Sequence, residues 1–538
     1  MKGAFLLAAV AAGIILAGSF PGLLLPVILI LLGVLCRITL AVIGNRNPIL
    51  IPTLSNFHFL WVFFLFSGLG SLSAFYSSPA PGNLPEEFYG KISGRVKQRV
   101  TTTRGERYLV DVSHILPAAT DAEGNEILKI EENVNSFIKC RNFEVLLFTK
   151  SDTILREGDI ITYNAYLKKV QEERRSGPLY FTRTTKWGDA PEVTGHSETL
   201  FTIASRLREN LKIELENSGL NRESTALLKG LLLADRGEIG KVNIAAFRDA
   251  GMSHMLAVSG LHVGIIAALL LWLTKPLNIL SFRAIRYMAI LISIWVFAFV
   301  TGLGYPAMRA SLMFSLAIIA TLMERQRDGF SNVCIAGMII LVLSPDALYD
   351  VGFLLSITCV ASLCLFAERL NPVEHHLHPL TYKLCSAALT TIIATGATWM
   401  ICGYYFKQIP TNFLIANLVI LPFLPPYMFV AIIYLIIKIL FGEIAILVKV
   451  LDFATDMMYR FLDLFAGTSV MVEVDMTSLM LWMTGLAVLA ISFYIKPPKM
   501  HSGAVVTQAG GEVSLPWLYA SLVIFTIAIS ILAFNNLG

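Results

Sequence analysis

The sequence predicts a mainly α-helical polytopic membrane protein that carries one small β-barrel outside the membrane. Of its 538 residues, 55% are hydrophobic and only 15% are charged, whereas about 25% are charged in ordinary soluble domains. Apolar runs of about 20 residues recur along the chain, which is the length that crosses about 30 Å of hydrocarbon. Between residues 77 and 220 the pattern changes to polar residues and short strand-like runs.

The first 76 residues contain three apolar segments, near 4–19, 22–36 and 57–76. The first segment alone has the look of a signal peptide, but the second follows it after only three residues. Two apolar segments so closely spaced are typical of a retained helical hairpin rather than of a cleaved leader. We therefore predict an N-terminal membrane hairpin followed by a third span.

Residues 77–198 predict a folded domain. Strand-like runs occur near 108–113, 143–148 and 159–167, and turn signals such as Glu123-Gly124-Asn125 separate them. Five or six short strands with aromatic residues indicate a small barrel. The OB-fold is the main candidate, because it is a five-stranded barrel that often binds oligonucleotides.

This domain also contains candidates for contact with DNA. The basic candidates are Arg95, Lys97, Arg99, Lys168 and Lys169. Aromatic neighbours such as Tyr108 and Tyr163 are candidates for stacking on bases, although aromatic residues in strand patterns more often belong to a core. Acidic residues nearly balance the basic ones, so this domain alone gives weak support for nucleic-acid binding.

Residues 199–220 predict an amphipathic helix on the membrane surface. Apolar side chains recur at helical spacing between Leu200 and Leu215, opposite the cations Arg206, Arg208 and Lys212. Such a helix leads the chain from the outer domain back to a second membrane block.

Residues 221–538 predict a membrane domain with about ten further apolar segments, which gives about 13 spans in all. These segments lie near 253–274, 284–302, 307–323, 332–345, 350–367, 382–403, 413–440, 444–466, 477–495 and 516–535. Four prolines between 409 and 426 predict a broken or re-entrant helix there. Irregular backbone at membrane depth is tolerated only where protein or a wet cavity surrounds it.

The distribution of Lys and Arg predicts the orientation, because short cytoplasmic loops are rich in these residues. If Lys2 is cytoplasmic, then Arg37 and Arg46 are also inside and residues 77–220 are outside the cytoplasm. The same count places the cations near 275–286, 325–327 and 496–499 inside. One orientation therefore satisfies nearly every short loop.

The most informative string runs Gly251-Met-Ser-His254-Met-Leu-Ala-Val-Ser259-Gly-Leu-His262-Val. It resembles the core motif of the ComEC family of competence proteins. Two further strings agree in order and spacing, Pro306-Ala-Met-Arg309-Ala and the segment from Asp350 to Ser356. The later residues Pro410, Asn412, Asn417 and Pro422 also fit, so the resemblance covers nearly the whole chain.

The resemblance implies an inner-membrane channel that takes up single-stranded DNA during natural transformation. It implies a periplasmic DNA receptor outside and, inside, a helicase-like motor with single-strand-binding proteins. Many relatives continue into a metallo-β-lactamase-like domain, whereas this chain ends at Gly538 soon after an apolar segment. We therefore expect a short form that is not an enzyme and holds no metal or cofactor. Since no Walker A string occurs, energy from ATP would come from a partner.

The matched strings and their polar residues supply candidates for the DNA path. These are His254, Ser259, His262, Arg309, Asp350, Ser356, Asn412 and Asn417. A charged side chain at membrane depth costs about 2.5–3.5 kcal/mol on insertion scales. Arg309 therefore either snorkels to the interface or faces a wet conduit, where its guanidinium can bind phosphate oxygens in pairs.

The two histidines of the first string do not predict a metal site. His254 and His262 are eight positions apart, so on one ideal helix their side chains point about 80° from each other. A polar seam satisfied by neighbouring helices is the alternative to a pore lining.

Four charged residues precede that string and are candidates for a vestibule, namely Asp235, Arg236, Arg248 and Asp249. The simpler interpretation is an ion-pair network that fixes the geometry of the entrance.

Two other functions fit the sequence less well. An intramembrane enzyme acting on a lipid or a lipid-linked glycan would use His254, His262 and Asp350, but no compact acid–base or metal group is present in the sequence. A transporter of small solutes is disfavoured by the lack of a visible internal repeat and by the large external domain.

Overall fold

The structure is a computed structural model that describes most of the chain. The described residues are 2–19, 24–46, 58–77, 87–102, 105–117, 138–149, 155–170, 179–183, 191–256, 258–275, 282–324, 329–367, 379–465, 469–494, 504–506, 512–514, 520–529 and 531. They form two compact units. One comprises residues 1–4, 212–337 and 351–538, and the other comprises residues 5–211 and 338–350.

Three apolar helices form at the N-terminal segments that the sequence predicts: α1 (Lys2–Ser19), α2 (Leu24–Arg46) and α3 (His58–Ser77). α1 and α3 touch through small residues. A side chain at Gly13 would clash with the backbone of Ser67, and the Ser67 hydroxyl donates to the carbonyl oxygen of Ala9 at 2.9 Å. Small residues permit this close approach of backbones, as they do between other membrane helices.

The polar region folds as six strands in one sheet. They are β1 (Glu87–Thr102), β2 (Gly105–Pro117), β3 (Ile138–Thr149), β4 (Asp159–Val170), β5 (Leu179–Arg183) and β6 (Glu192–His196). The three strand-like runs of the sequence are confirmed in β2, β3 and β4. β1 pairs antiparallel with both β2 and β4, β3 runs parallel to β5, and β6 is added at the other edge of β4.

The core of this sheet contains Tyr108 and Tyr163, two of the aromatic candidates for base stacking. Tyr108 is fully buried and its hydroxyl accepts a hydrogen bond from the backbone N–H of Leu155 at 3.3 Å. Tyr163 is 4% exposed and packs in the same cluster with Val110 and Val145. The stacking prediction is therefore wrong for both, because alternation along the strands turns them inward.

Four short helices follow the sheet: α4 (Leu200–Glu216), α5 (Arg222–Leu233), α6 (Lys241–Asp249) and α7 (Ser253–Leu256). α4 confirms the predicted amphipathic helix, since Leu200, Phe201 and Ile203 are more than half exposed. Asn221 caps α5 by accepting from the backbone N–H of Ser224 at 2.7 Å. With 12 and 9 residues, α5 and α6 are too short to cross a bilayer.

The rest of the chain is mainly helical. The helices are α8 (Gly260–Leu273), α9 (Arg283–Val300), α10 (Tyr305–Leu322), α11 (Gly329–Leu343), α12 (Val351–Ser362), α13 (Pro379–Phe406), α14 (Phe413–Ile420), α15 (Leu424–Phe441), α16 (Ala445–Asp463), α17 (Met476–Tyr494) and α18 (Ala520–Ile529). A 3₁₀ turn covers Pro345–Tyr349, and α12 continues as the π-helical turn Leu363–Ala367. The two-stranded ladders β7 (Gln408–Pro410) with β8 (Ser469–Met471) and β9 (Ala504–Val506) with β10 (Glu512–Ser514) complete the fold.

Among the described residues, four helices are long and apolar enough to cross a membrane. They correspond to α9, α10, most of α13, and α15. Shorter apolar helices lie in α1, α2, α3, α8, α11, α12, α17 and α18. The chain is thus a multi-pass membrane protein, whereas the predicted total of about 13 spans is not confirmed.

Two predicted segments are divided by breaks in the backbone. The segment 253–274 is not one helix, because α7 ends at Leu256 and α8 begins only at Gly260. The segment 413–440 forms α14 and α15 with a turn between them, which confirms the broken helix that the prolines predict.

The predicted span at 444–466 is α16, which is not among the candidate spans. It carries five charged residues, Lys449, Asp452, Asp456, Arg460 and Asp463. Its charged residues occupy one face, its buried residues another, and its exposed apolar residues a third. The free-energy cost of placing five charges at membrane depth would far exceed the stabilisation from burying one apolar stripe in lipid.

Candidate functional site

The first motif string forms a bend between α7 and α8. Gly251 has φ of +75°, which favours glycine. A Cβ there would lie 2.9 Å from Pro410 and 3.1 Å from Phe413, so the bend also packs closely on the start of α14. His254 is exposed on α7, with its Nδ1 3.2 Å from the carbonyl oxygen of Gly251.

Ser259 and His262 together cap the N-terminus of α8. The Ser259 hydroxyl accepts from the backbone N–H of Leu261 at 3.2 Å, and His262 Nδ1 accepts from the backbone N–H of Ser259 at 3.3 Å. This reciprocal arrangement is a capping box. Because Nδ1 is the acceptor, the imidazole proton is on Nε2, which is buried and has no partner among the described residues.

The cap also decides between two interpretations of these polar residues. His254 and His262 lie on different helices, so the angle expected for one ideal helix does not apply. The Ser259 hydroxyl lies 3.1 Å from His262 Nδ1, a distance that a hydrolase nucleophile and its base would also show. Both groups are already engaged with the first turn of α8, so the contact is explained by helix capping.

Arg309 lies on α10 and is 3% exposed. The interpretation that it snorkels to the interface is therefore wrong. Its Nη1 is 4.0 Å from the sulfur of Met313, a weak acceptor, and its buried Nε has no partner. Among the described residues it makes no ion pair, so the guanidinium is a buried cation without a counter-charge.

The other four path candidates lie on or directly before α12 and α14. Asn417 on α14 is 8% exposed, and its buried Oδ1 has no partner in the part of the chain that the structure describes. Asn412 precedes α14, and its side chain makes no cap bond to the described residues of that helix. Ser356 lies partly buried on α12. Asp350 follows the 3₁₀ turn and belongs to the other compact unit. The structure thus places Ser259 and His262 at the N-terminus of α8 beside Arg309, and His254 and Arg236 lie close enough for their charges to act on His262.

Two residues that the sequence did not single out belong beside these candidates. Gly260 is the first residue of α8, and a Cβ there would lie 3.1 Å from Arg309 Nη2. Ser311 is fully buried and its hydroxyl lacks a partner among the described residues. Gly260 stands inside the motif string, which was a usable signal, whereas nothing in the sequence distinguishes Ser311.

The vestibule candidates form ion pairs, but not all with each other. Asp235 pairs with Lys212 at 2.6 Å, and Arg236 is exposed. Arg248 Nε is 3.8 Å from Asp249, whose carboxylate also accepts from Ser469 at 3.0 Å. The ion-pair interpretation is confirmed for Arg248 and Asp249, and Lys212 is the partner that sequence reasoning missed.

A second missed residue is Lys229, in the middle of α5. It is 1% exposed, and its ammonium group donates to Glu216 at 2.5 Å and to Glu238 at 2.8 Å. Burial lowers the pKa of Lys229, but the hydrogen bonds and charges of the two carboxylates raise it by more, so the pKa lies above its usual value. A lysine inside the apolar run from Ala226 to Leu233 was a visible signal of a buried charge.

The basic candidates on the sheet do not form one patch. The register of β1 with β4 places Lys168 opposite Glu87 and Arg95 opposite Ile160, eight positions along the ladder. At about 3.3 Å per residue this separates Lys168 and Arg95 by about 25 Å. Lys97 and Arg99 follow Arg95 on β1, and Lys169 follows Lys168 on β4, so the basic candidates form two groups. Arg95 also lies opposite Asp111 of β2.

The motif strings, the capped α8 and the buried Arg309 fall within one stretch that matches a known family. Residues 231–498 match the family model described as "Competence protein". This part of the chain belongs to the competence protein family. We refer to residues 231–498 as the competence region.

Three relatives match parts of the chain. The chain is 28% identical over 217 residues to "ComE operon protein 3" of Bacillus subtilis (strain 168), covering 40% of this chain and 27% of that protein. It is 27% identical over 231 residues to "Competence protein ComA" of Neisseria gonorrhoeae, covering 40% of this chain and 31% of that protein. An uncharacterized protein, YcaI of Escherichia coli (strain K12), is 28% identical over 204 residues, covering 37% of this chain and 27% of that protein. The chain thus spans about a third or less of the relatives that it matches, and no solved structure matches it.

Proposed function

We propose that this chain is a multi-pass protein of the bacterial inner membrane through which single-stranded DNA enters the cytoplasm during natural transformation. The competence region supports this proposal, as does the relative named "Competence protein ComA". The distribution of Lys and Arg among short loops supports an orientation with the six-stranded sheet outside the cytoplasm.

The observation that carries the proposal is the uncompensated cation inside the competence region. DNA is a polyanion and cannot cross hydrocarbon, so its passage requires buried donors and positive charge. Arg309 is buried among apolar helices without an ion-pair partner in the described part of the chain. A buried charge of this kind is costly in a purely structural role, and guanidinium binds phosphate oxygens well.

The β-sheet is proposed to be a closed OB-type barrel that meets the strand first. Its pairings run from β1 to β2, β3, β5 and β4 and return to β1, which supports closure of five strands. Lys97 and Lys168 are exposed at two separate places along β1 and β4. A strand of DNA that touched both groups would have to run along these strands.

Passage, rather than hydrolysis, is the proposed activity. The contact between Ser259 and His262 is part of a helix cap, which supports a structural role for this pair. The driving force would come from a helicase-like motor on the cytoplasmic side, and a periplasmic DNA receptor would deliver the strand. No cofactor is part of the proposal.

The test is DNA import by a strain that lacks the chain. Labelled DNA should reach a nuclease-protected cytoplasmic pool in the parent strain and in a complemented strain, and not in the deletion strain. Complementation with Arg309→Gln should fail while membrane insertion is retained. Unchanged import in the deletion strain would contradict the proposal.

A further inference from the structure

Two buried arginines stand at opposite ends of α8. Arg286, on the first turn of α9, lies at the C-terminal end of α8, and Arg309, on α10, lies at its N-terminal end. They are 8% and 3% exposed. The two arginines therefore meet opposite partial charges, because a helix carries about half a positive charge at its N-terminus and about half a negative charge at its C-terminus.

Arg286 is fully accounted for by its position. Its Nη2 donates to the carbonyl oxygen of Leu271 at 2.9 Å, and its Nε donates to the hydroxyl of Thr274 at 3.1 Å. These acceptors belong to the last turn and the C-cap of α8, so the cation meets the negative end of the helix. No additional ligand is needed at this end.

Arg309 is in the reverse situation. Its Nη2 lies 3.1 Å from the position where Gly260, the first residue of α8, would carry a Cβ. The cation therefore lies beside the positive end of the same helix, where the Met313 sulfur is a weak acceptor and, among the described residues, its buried Nε has no partner. A buried cation beside the positive end of a helix is unfavourable unless an anion lies between them or beside them.

We propose that Arg309 and the N-terminus of α8 form a binding site for one oxyanion, and that its ligand is a phosphodiester group of the DNA strand. The dipole of a helix N-terminus attracts phosphate groups, while the backbone N–H of Leu261 in this first turn is already bound by the Ser259 hydroxyl. A planar guanidinium adds paired hydrogen bonds to phosphate oxygens. Gly260 is the positioning residue, because a side chain there would press on Nη2. The choice of DNA as the source of the phosphodiester rests on the proposed function.

The first experiment uses inorganic phosphate as the probe. The full chain is purified in detergent, and its thermal unfolding is followed in sodium phosphate and in sodium chloride at equal ionic strength. Phosphate should raise the unfolding temperature of the wild type and not that of Arg309→Gln. Arg286→Gln is the matched control, and it should keep the response to phosphate even if its unfolding temperature is lower. Equal responses of wild type and Arg309→Gln would overturn the site.

The second experiment identifies the source of the phosphodiester. A fluorescent octamer of thymidylate should bind the full chain, and an octamer with an uncharged methylphosphonate backbone should not. Arg309→Gln should weaken binding by about ten- to hundredfold, since bonds to charged groups contribute about 1.5–3 kcal/mol. Gly260→Ala should weaken it while the charge of Arg309 is kept, and Arg309→Lys should restore only part, because an ammonium lacks the paired donors.

Three outcomes distinguish the anion site, the identity of its ligand and the proposed function from one another. A phosphate response at Arg309 that is lost on adding phosphatidylglycerol, with no oligonucleotide binding, would overturn DNA as the ligand in favour of a lipid headgroup. Oligonucleotide binding that is indifferent to Arg309→Gln would overturn the site while leaving the proposed function standing. A confirmed phosphate site in a chain whose deletion leaves DNA import unchanged would reject the proposed function and keep the anion site.

Discussion

Single residues at the start of the competence region do structural work that the motif alone does not reveal. Ser259 and His262 satisfy donors at the first turn of α8, and this cap orients the helix end that meets Arg309. Lys229 holds Glu216 and Glu238, and so ties the end of α4 to the loop after α5. The motif predicted the first pair and Arg309. It missed Lys229 and Gly260, because their partners are distant in sequence or lie on another helix.

Removal of the α8 cap should lower stability without removing charge. Ser259→Ala should cost about 0.5–2 kcal/mol, as loss of an N-cap does elsewhere. Ser259→Asp, which restores an acceptor for the backbone N–H of Leu261, should recover most of that loss. Chemical or thermal unfolding of the full chain in detergent measures the difference, and equal stability of all three proteins would show that the cap is not formed.

Removing the charges of the two carboxylates around Lys229 should affect stability differently from removing the charge of Lys229 itself. Glu216→Gln combined with Glu238→Gln leaves a buried ammonium without a counter-charge and should destabilise by about 3–5 kcal/mol. Lys229→Met removes the charge and should cost much less or stabilise the fold. Unfolding temperatures decide this, and a larger loss in Lys229→Met than in the double variant would contradict the account.

The pH dependence of the same network follows from its pKa. The pKa of Lys229 is raised in the folded chain, so its contribution is complete below the unfolded value of about 10.4 and is lost as pH rises through the folded value. The difference in unfolding temperature between the wild type and Lys229→Met should therefore be constant from neutral pH to about pH 10 and change only above it. A change centred below pH 9 would mean that another group controls the network.

At the scale of elements, sequence patterns worked where one period dominated. Alternating residues predicted β2, β3 and β4, and the 3.6-residue period predicted α4. Mean hydropathy failed at α16 because two of its faces are apolar, one buried in the protein and one exposed, so the window looks like a span. It failed at 253–274 because the break before α8 depends on Gly251 and Ser259, which an average over 20 residues does not detect.

We expect α16 to lie in the membrane interface rather than to cross. Its exposed apolar residues, Ile446, Val450, Phe453, Met457, Phe461 and Leu464, follow one helical stripe, while the charged stripe is available to water. In a cysteine-free background, spin labels at 446, 450, 453 and 457 should report one shallow, nearly constant depth in lipid.

The control for this measurement is a helix that does cross. Labels at Ile285, Met288, Ile292 and Val296, which are exposed along α9, should report depths that increase towards the bilayer centre and then decrease. A similar profile along α16 would show that it spans the membrane.

At the scale of the whole molecule, one chain combines a six-stranded β-sheet with a competence region of apolar helices. The sequence predicted this division and the family from three motif strings. It could not predict that two basic groups are separated along β1 and β4. This separation depends on strand register, which no local pattern specifies.

The central claim is that a DNA strand passes Arg309, and crosslinking during import tests it most directly. A photoreactive benzoylphenylalanine replaces Met313, whose sulfur contacts Arg309, or Ile319, which is 47% exposed on the same helix. Cells that import labelled DNA are then illuminated, and the protein is purified. We predict a protein–DNA adduct from position 313 and none from position 319. Adducts of equal yield at both positions, or none at 313 in cells that import DNA normally, would contradict the account.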